Sequence, residues 1–208
     1  MSEIKWVFLD VGSTLVDESD VYESRCSYVI SEKGLEHDEF IEKVHQAAKV
    51  SPTPIKQAAQ TYGVTLPEWD SSLEKLYLGT EDVLKVLSGK YKLGIIANQL
   101  AGTKKRLHNW GVLQYFDVVA ASAEAGYEKP DLRIFKLALE QAGCNPQNAI
   151  MVGDRLENDI APARQLGMKT IWVRQGFAKY QSVEKEYEKP DYIIENIGEI
   201  VKVLMGRT

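Results

Sequence analysis

Four short polar clusters in this chain hold the residue types that handle charged groups. They are Asp10-Val11-Gly12-Ser13-Thr14-Leu15, Ala97-Asn98, Glu128-Lys129-Pro130-Asp131, and Gly153-Asp154 followed by Asn158-Asp159. A carboxylate can serve as nucleophile, proton carrier or hard-cation ligand, and a lysine or an amide can bind an anion. Singly, each cluster has an ordinary explanation. An Asp ending a strand is often a helix N-cap, and Lys-Pro is often an exposed loop before a helix. Asp154 and Asp159 alone could be a solvated turn followed by an acid favoured by a helix dipole. What joins the clusters is their order and their placement soon after successive apolar runs.

Those runs read as buried strands over residues 4–9, 93–97, 118–120, 149–152 and 170–173. Helical periodicity lies between them, as in Val83, Leu84 and Leu87, or Leu132, Phe135, Leu139 and Ala142. Gly111, Gly143 and Gly167 follow such stretches where a helix C-terminus favours glycine. Strands alternating with helices predict right-handed crossovers and a mostly parallel α/β sheet covered on both faces. In such sheets ligands sit outside the carboxyl ends of the strands, where the strand order reverses. Four loops thus deliver carboxylates, a lysine and an amide to one edge. Residues 18–77 break the rhythm with helical patterns interrupted by Gly34, Pro52, Pro54, Gly63 and Pro67, and no strand is expected there. That segment is too long for a simple crossover. It predicts a small helical cap at 18–77, inserted into an α/β core formed by 1–17 and 78–208; the alternative is a longer helical layer packed on the sheet.

Together the clusters resemble the motifs of the haloacid dehalogenase superfamily, over nearly the whole chain. The first family motif is an Asp after an apolar strand, a second Asp two places on, then Gly-Thr-Leu; here it stands as Asp10, Gly12, Ser13, Thr14, Leu15. The second, a Ser or Thr usually before Asn, stands as Ala97-Asn98, and the third is Lys129 of Lys129-Pro130-Asp131. The fourth, Gly153-Asp154 with Asn158-Asp159, is the most specific. The resemblance implies a Rossmann-like core and a magnesium-dependent hydrolase, with a small phosphorylated metabolite as substrate and an aspartyl-phosphate as intermediate. It makes Asp10 the nucleophile. It assigns magnesium to the Asp10 carboxylate, the Gly12 backbone carbonyl and Asp154, with Asp159 positioning the metal's waters or holding Lys129. Lys129 would neutralise charge on the transferring group, and Asn98 would donate to a phosphate oxygen.

Two departures bear on the chemistry. Family phosphatases carry an acid at the second position of motif one, which protonates the leaving group; Gly12 cannot. Ala97 removes a phosphate-binding hydroxyl and leaves only its backbone N–H. Lost general acid catalysis is worth roughly 10² to 10⁴ in rate. Activated phosphates are therefore expected to react far better than alkyl phosphates, and Gly12→Asp is expected to raise alkyl phosphate turnover more than aryl turnover. A phosphonate or halo-acid hydrolase, or a catalytically weakened phosphate-binding or regulatory protein, are the alternatives that these departures keep open.

The remaining features are plainer. At 208 residues with a formal net charge of −5, the chain favours neither nucleic acid nor an anionic membrane as partner. No membrane span or leader pattern is present, and the two cysteines lack metal spacing, so a cytoplasmic protein with reduced Cys26 and Cys144 is expected. His37, His45 and His108 fit surface or packing roles. Arg25, Lys33 and Lys56 fit a solvated helix face better than a substrate contact, whereas Trp69 could line a pocket. The oligomeric state and the substrate's identity have no signature in the sequence.

Overall fold

The computed structural model describes residues 3–206. In chain order the elements are β1 (Trp6–Leu9), β2 (Val16–Asp17), α1 (Ser19–Lys33), α2 (His37–Ala48), α3 (Pro54–Thr61), β3 (Lys75–Leu76), α4 (Thr80–Ser88), β4 (Lys92–Ala97) and α5 (Thr103–Asn109). Then follow β5 (Val118–Ala121), α6 (Ser122–Ala125), α7 (Leu132–Ala142), β6 (Ala149–Gly153), α8 (Ala161–Gln165), β7 (Lys169–Val173), β8 (Tyr192–Ile194) and α9 (Ile200–Met205).

Six strands form one parallel sheet in the order β5-β4-β1-β6-β7-β8. The chain lays down β1, moves outward through β4 to β5, and then returns to the other side of β1 for β6, β7 and β8. The reversal therefore falls at β1, and every strand that ends near it points its carboxyl end to the same edge. Strand alternation sorts the core into two layers. Val7 and Leu9 of β1 pack with Leu93, Ile95, Ile150 and Val152 against α4, α5 and α9. Phe8, one residue between them, faces the opposite layer with Met151 and the α7 residues Ile134, Phe135, Ala138 and Leu139. α1, α2 and α3 bury their own apolar faces in a separate cluster around Val29, Phe40, Val44 and Ile55.

The strands from the sequence agree to within two residues at their ends. Two features differ. β8 has only Ile194 buried among its three residues, and its Tyr-Ile-Ile stretch is too short to read as a strand from sequence. β2 and β3 pair antiparallel, Val16 opposite Leu76 and Asp17 opposite Lys75, so the 18–77 segment is not free of strand. Two-residue strands are too short to show a period of two. Their pairing closes the ends of the helical segment onto the core, and Tyr77 N–H donates to the Leu15 carbonyl at 3.0 Å alongside.

Phe8 lies under Gly94 of the neighbouring strand. A Cβ placed on Gly94 would approach the Phe8 ring at 2.5 and 2.6 Å, far inside van der Waals contact. Gly94→Ala is expected to destabilise the fold by about 1–3 kcal/mol through overpacking. Urea unfolding would check this; a change below about 0.5 kcal/mol, the usual surface-substitution range, would contradict it.

Candidate active site

Asp10 leaves β1 with its N–H donating to the Val152 carbonyl at 2.9 Å, so the sheet register continues through the residue. Its carboxylate accepts from Lys129 Nζ at 2.7 Å. The same ammonium donates to Asp159 Oδ1 at 2.5 Å. Lys129 is only 4% exposed and Asp159 is fully buried. The loop carrying Lys129 is fixed by Asn98, which follows β4. Lys129 N–H donates to Asn98 Oδ1 at 2.6 Å, and Asn98 Nδ2 donates to the Lys129 carbonyl at 2.9 Å.

Asp154 follows β6, and its carbonyl accepts from Trp172 Nε1 at 2.8 Å. A single turn of π-helix, Leu156–Ile160, then brings Asp159 back under the strand end. There Asp159 Oδ2 accepts the Arg155 N–H at 2.9 Å. Gly153 is the residue that permits this return, because a Cβ there would overlap the Asp159 side chain.

Asp10, Asp154 and Asp159 each place a carboxylate oxygen within 4.8 Å of the others. Three buried acids against one ammonium leave an excess of negative charge, and the titration behaviour follows. Burial, then the charges of Asp159 and Asp10, hold the Asp154 carboxyl well above the usual carboxylate range. Burial also raises Asp159 to about 6, against the lowering effect of Lys129. Burial alone would lower Lys129, but the two carboxylates hold it above its ordinary value. Among the described residues, no group hydrogen-bonds the Asp154 side chain. A hard divalent cation fits this donor set: oxygen ligands, excess negative charge and a buried carboxylate without a partner.

Asp10, Gly12, Asn98, Lys129, Asp154 and Asp159 line one cavity of about 240 Å³. Ala97, by contrast, ends β4 with its side chain wholly buried in the core. The helical segment supplies the opposite wall through Tyr22, Arg25, Ile55, Lys56 and Trp69. Arg25 sits 5.1 Å from the Trp69 ring centroid and donates to the Pro67 carbonyl at 2.7 Å. Half-buried Arg25 and exposed Lys56 thus border the cavity, which helical spacing alone could not reveal. Lys33 is exposed and lies elsewhere. Arg155 ties the two walls, donating to the Ser51 carbonyl and to Glu157. His45 packs flat on Tyr180, with ring centroids 4.3 Å apart.

Glu18 was not among the residues singled out from the sequence. This residue is 8% exposed at the start of α1, and it lines the cavity beside Gly12. Its Oε2 accepts from Tyr22 Oη at 2.5 Å and Ser13 Oγ at 3.0 Å. Burial raises its carboxyl to about 7, with Asp10 adding to the effect and the two hydroxyls opposing it. The signal was present but dispersed. An acid follows Asp17 where motif one has lost its own acid at residue 12 and gained a hydroxyl at residue 13.

A family profile described as haloacid dehalogenase-like hydrolase matches residues 7–173. The glyceraldehyde 3-phosphate phosphatase of Pyrococcus furiosus is 30% identical over 98% of this chain and 94% of its own length. The enzyme of the same name from Methanothermobacter thermautotrophicus is 29% identical over 95% of this chain and 87% of its own length. Among solved structures, a phosphatase of the superfamily from Thermococcus onnurineus superposes with a TM-score of 0.67 at 24% identity, covering 98% of this chain and 99% of that one. A magnesium-bound hydrolase from Bacillus subtilis superposes with a TM-score of 0.69 at 20% identity, covering 98% and 100%.

Because Asp154 binds its proton more tightly folded than unfolded, its charge opposes folding once the pH rises above the ordinary carboxylate value. Asp154→Asn is therefore expected to raise the thermal midpoint of the metal-free protein by several degrees at neutral pH, equivalent to about 1–2 kcal/mol. The gain should vanish below about pH 4, where the carboxyl is protonated in both states. Calorimetry showing equal or lower stability of the variant at neutral pH would contradict this.

Proposed function

The chain belongs to the haloacid dehalogenase-like hydrolases, and on that premise we propose that it is a magnesium-dependent phosphatase of a small phosphorylated metabolite. The observation that carries the proposal is the buried Asp10–Lys129–Asp159 contact beside Asp154, at the strand reversal where a ligand would sit. Supporting it are the phosphatase names of relatives that align over nearly the whole chain. A cavity of about 240 Å³ suits a compact ester such as a triose phosphate better than a nucleotide.

Asp10 is the nucleophile: one carboxylate oxygen bonds to phosphorus as the bond to the leaving group breaks, giving an aspartyl-phosphate. Lys129 holds the Asp10 carboxylate in place and keeps a fixed positive charge beside the transferring group. Asp159 anchors that ammonium from behind, so the charge does not have to reorganise during the reaction. Asn98 aligns the lysine through its backbone on both sides, and the one amide hydrogen of Asn98 not given to the Lys129 carbonyl is available to phosphate. Asp10, the Gly12 carbonyl and Asp154 would hold magnesium, which when bound offsets the repulsion between carboxylate and phosphate. Water then releases phosphate from Asp10. The residues of 18–77 act as a cap that restricts the size of the leaving group and limits the entry of bulk water. Carbon–halogen hydrolysis has less use for a cluster of acids, since it presents no phosphate whose charge a cation must balance.

The test is inorganic phosphate release from a panel of small phosphate esters that includes glyceraldehyde 3-phosphate. Release is expected with magnesium, is lost on chelation, and falls by more than about a thousandfold in Asp10→Asn. Failure to hydrolyse any member of the panel, or undiminished turnover by Asp10→Asn, would contradict the assignment.

A further inference from the structure

We propose that Glu18 is the proton-transferring group of the active site, a carboxyl supplied from the head of α1 in place of the acid that Gly12 lacks. The proposal rests on the phosphatase function argued above and adds a catalytic residue to it. It stands on where the side chain lies. A Cβ built on Gly12 would overlap Glu18 Oε1 and would lie 2.9 Å from Cδ and 3.0 Å from Oε2. The Glu18 carboxyl thus occupies the space in which a side chain at residue 12 would begin. Gly12 is not a lost function with an empty place beside it. It is the vacancy that Glu18 fills.

The second departure in motif one fits the same arrangement. Ser13 stands where glycine is usual, at φ 53°, a left-handed conformation that costs a side-chain-bearing residue about 1 kcal/mol or more. Its hydroxyl donates to Glu18 Oε2, and Tyr22 Oη donates to the same oxygen. Both bonds go to Oε2. Among the described residues Oε1 has no protein partner, and it faces Gly12 at the cavity wall. One oxygen is held and the other is left for substrate.

The strained turn is itself secured from outside. Gln175, which follows β7, donates to the Ser13 and Thr14 carbonyls at 3.2 Å each, and its Oε1 accepts the Ile197 N–H at 2.7 Å. Next to it, Gly176 leaves room for the serine, since a Cβ there would lie 2.7 Å from Ser13 Oγ.

The proton balance is then complete. Glu18 enters protonated on Oε1. As Asp10 bonds to phosphorus and the ester P–O bond breaks, that proton moves to the departing oxygen, which leaves as an alcohol. Glu18, now a carboxylate, takes a proton from the water that attacks phosphorus, and the bond between Asp10 and phosphorus breaks. Phosphate leaves with Asp10 free and Glu18 protonated again. The restriction to activated phosphates expected from Gly12 alone is thereby lifted. Gly12→Asp alone is not a restoration, because its side chain would collide with Glu18.

The experiment measures turnover on aryl and alkyl phosphate monoesters spanning a wide range of leaving-group pKa. Wild type is expected to cleave both classes with a shallow dependence on the leaving group. Glu18→Gln is expected to lose about 10² to 10⁴ in alkyl phosphate turnover and less than about tenfold on p-nitrophenyl phosphate, with a steepened slope. The pair Glu18→Ala and Gly12→Asp/Glu18→Ala provides the reciprocal arm. Gly12 is not at positive φ, so its backbone accepts a side chain once Glu18 is removed. The double variant should recover alkyl turnover at least about tenfold over Glu18→Ala, by restoring a general acid.

Alkyl turnover of Glu18→Gln within threefold of wild type, or an equal loss on both classes with an unchanged slope, would overturn the proposal. Should Glu18→Gln not fold, the reciprocal pair decides, rescue supporting the role and no rescue overturning it. A wild type active only on aryl esters with a steep slope overturns this inference and leaves the phosphatase assignment standing. A wild type inactive on every ester overturns both.

Discussion

A lysine ammonium buried between two carboxylates, with a third close by, is the constraint around which this molecule is arranged. Removing such charges from water costs several kcal/mol per ion, and only good geometry and further hydrogen bonds offset it. Each partner comes from a different part of the chain: Asp10 from the end of β1, Lys129 from the loop between α6 and α7, and Asp159 from the turn after β6. The contact therefore forms only when the sheet is assembled in its proper order. Its supports serve the same end. Asn98 grips the Lys129 backbone from both sides, the Arg155 N–H fills the second oxygen of Asp159, and Gly153 leaves the space into which Asp159 folds. Asp154 is the member left without such support, and its carboxyl marks where the cluster has capacity for a cation.

The neighbouring turn obeys a different logic. Glycine at residue 12, serine at 13 and glycine at 176 each look like a local irregularity. In space they form one packing solution around the Glu18 carboxyl, which none of them would allow if it carried a larger side chain. Backbone strain at Ser13 persists because Gln175 holds the carbonyls on either side of the turn's apex. Strain of this kind is retained where the surroundings over-determine it, and such places cluster at functional sites.

Much of this was legible in the sequence, for identifiable reasons. The central strands are continuous apolar runs because both faces of a parallel sheet are covered, and the polar residues after them had to lie on one edge. That was enough to bring Asp10, Asn98, Lys129, Asp154 and Asp159 together. β8 and the β2–β3 pair escaped notice because short or exposed strands bury too little to leave a pattern. Glu18 escaped because its role depends on a pairing across the turn with Gly12. No linear spacing states that a glycine and an acid six residues later share one volume. That Arg25 and Lys56 border the cavity was not legible for a related reason, since a helix face turned toward a cavity has the same periodicity as one turned toward bulk water.

The central claim is that Asp10, held by Lys129, takes up the phosphoryl group itself. Mass spectrometry of the protein after rapid mixing with an aryl phosphate and acid quench tests this directly. The account predicts a peptide containing Asp10 heavier by one phosphoryl group in Glu18→Gln, where proton transfer to the second step is impaired, and no such peptide in Asp10→Asn. Turnover without any phosphorylated peptide, or a phosphoryl group mapped to another residue, would contradict it.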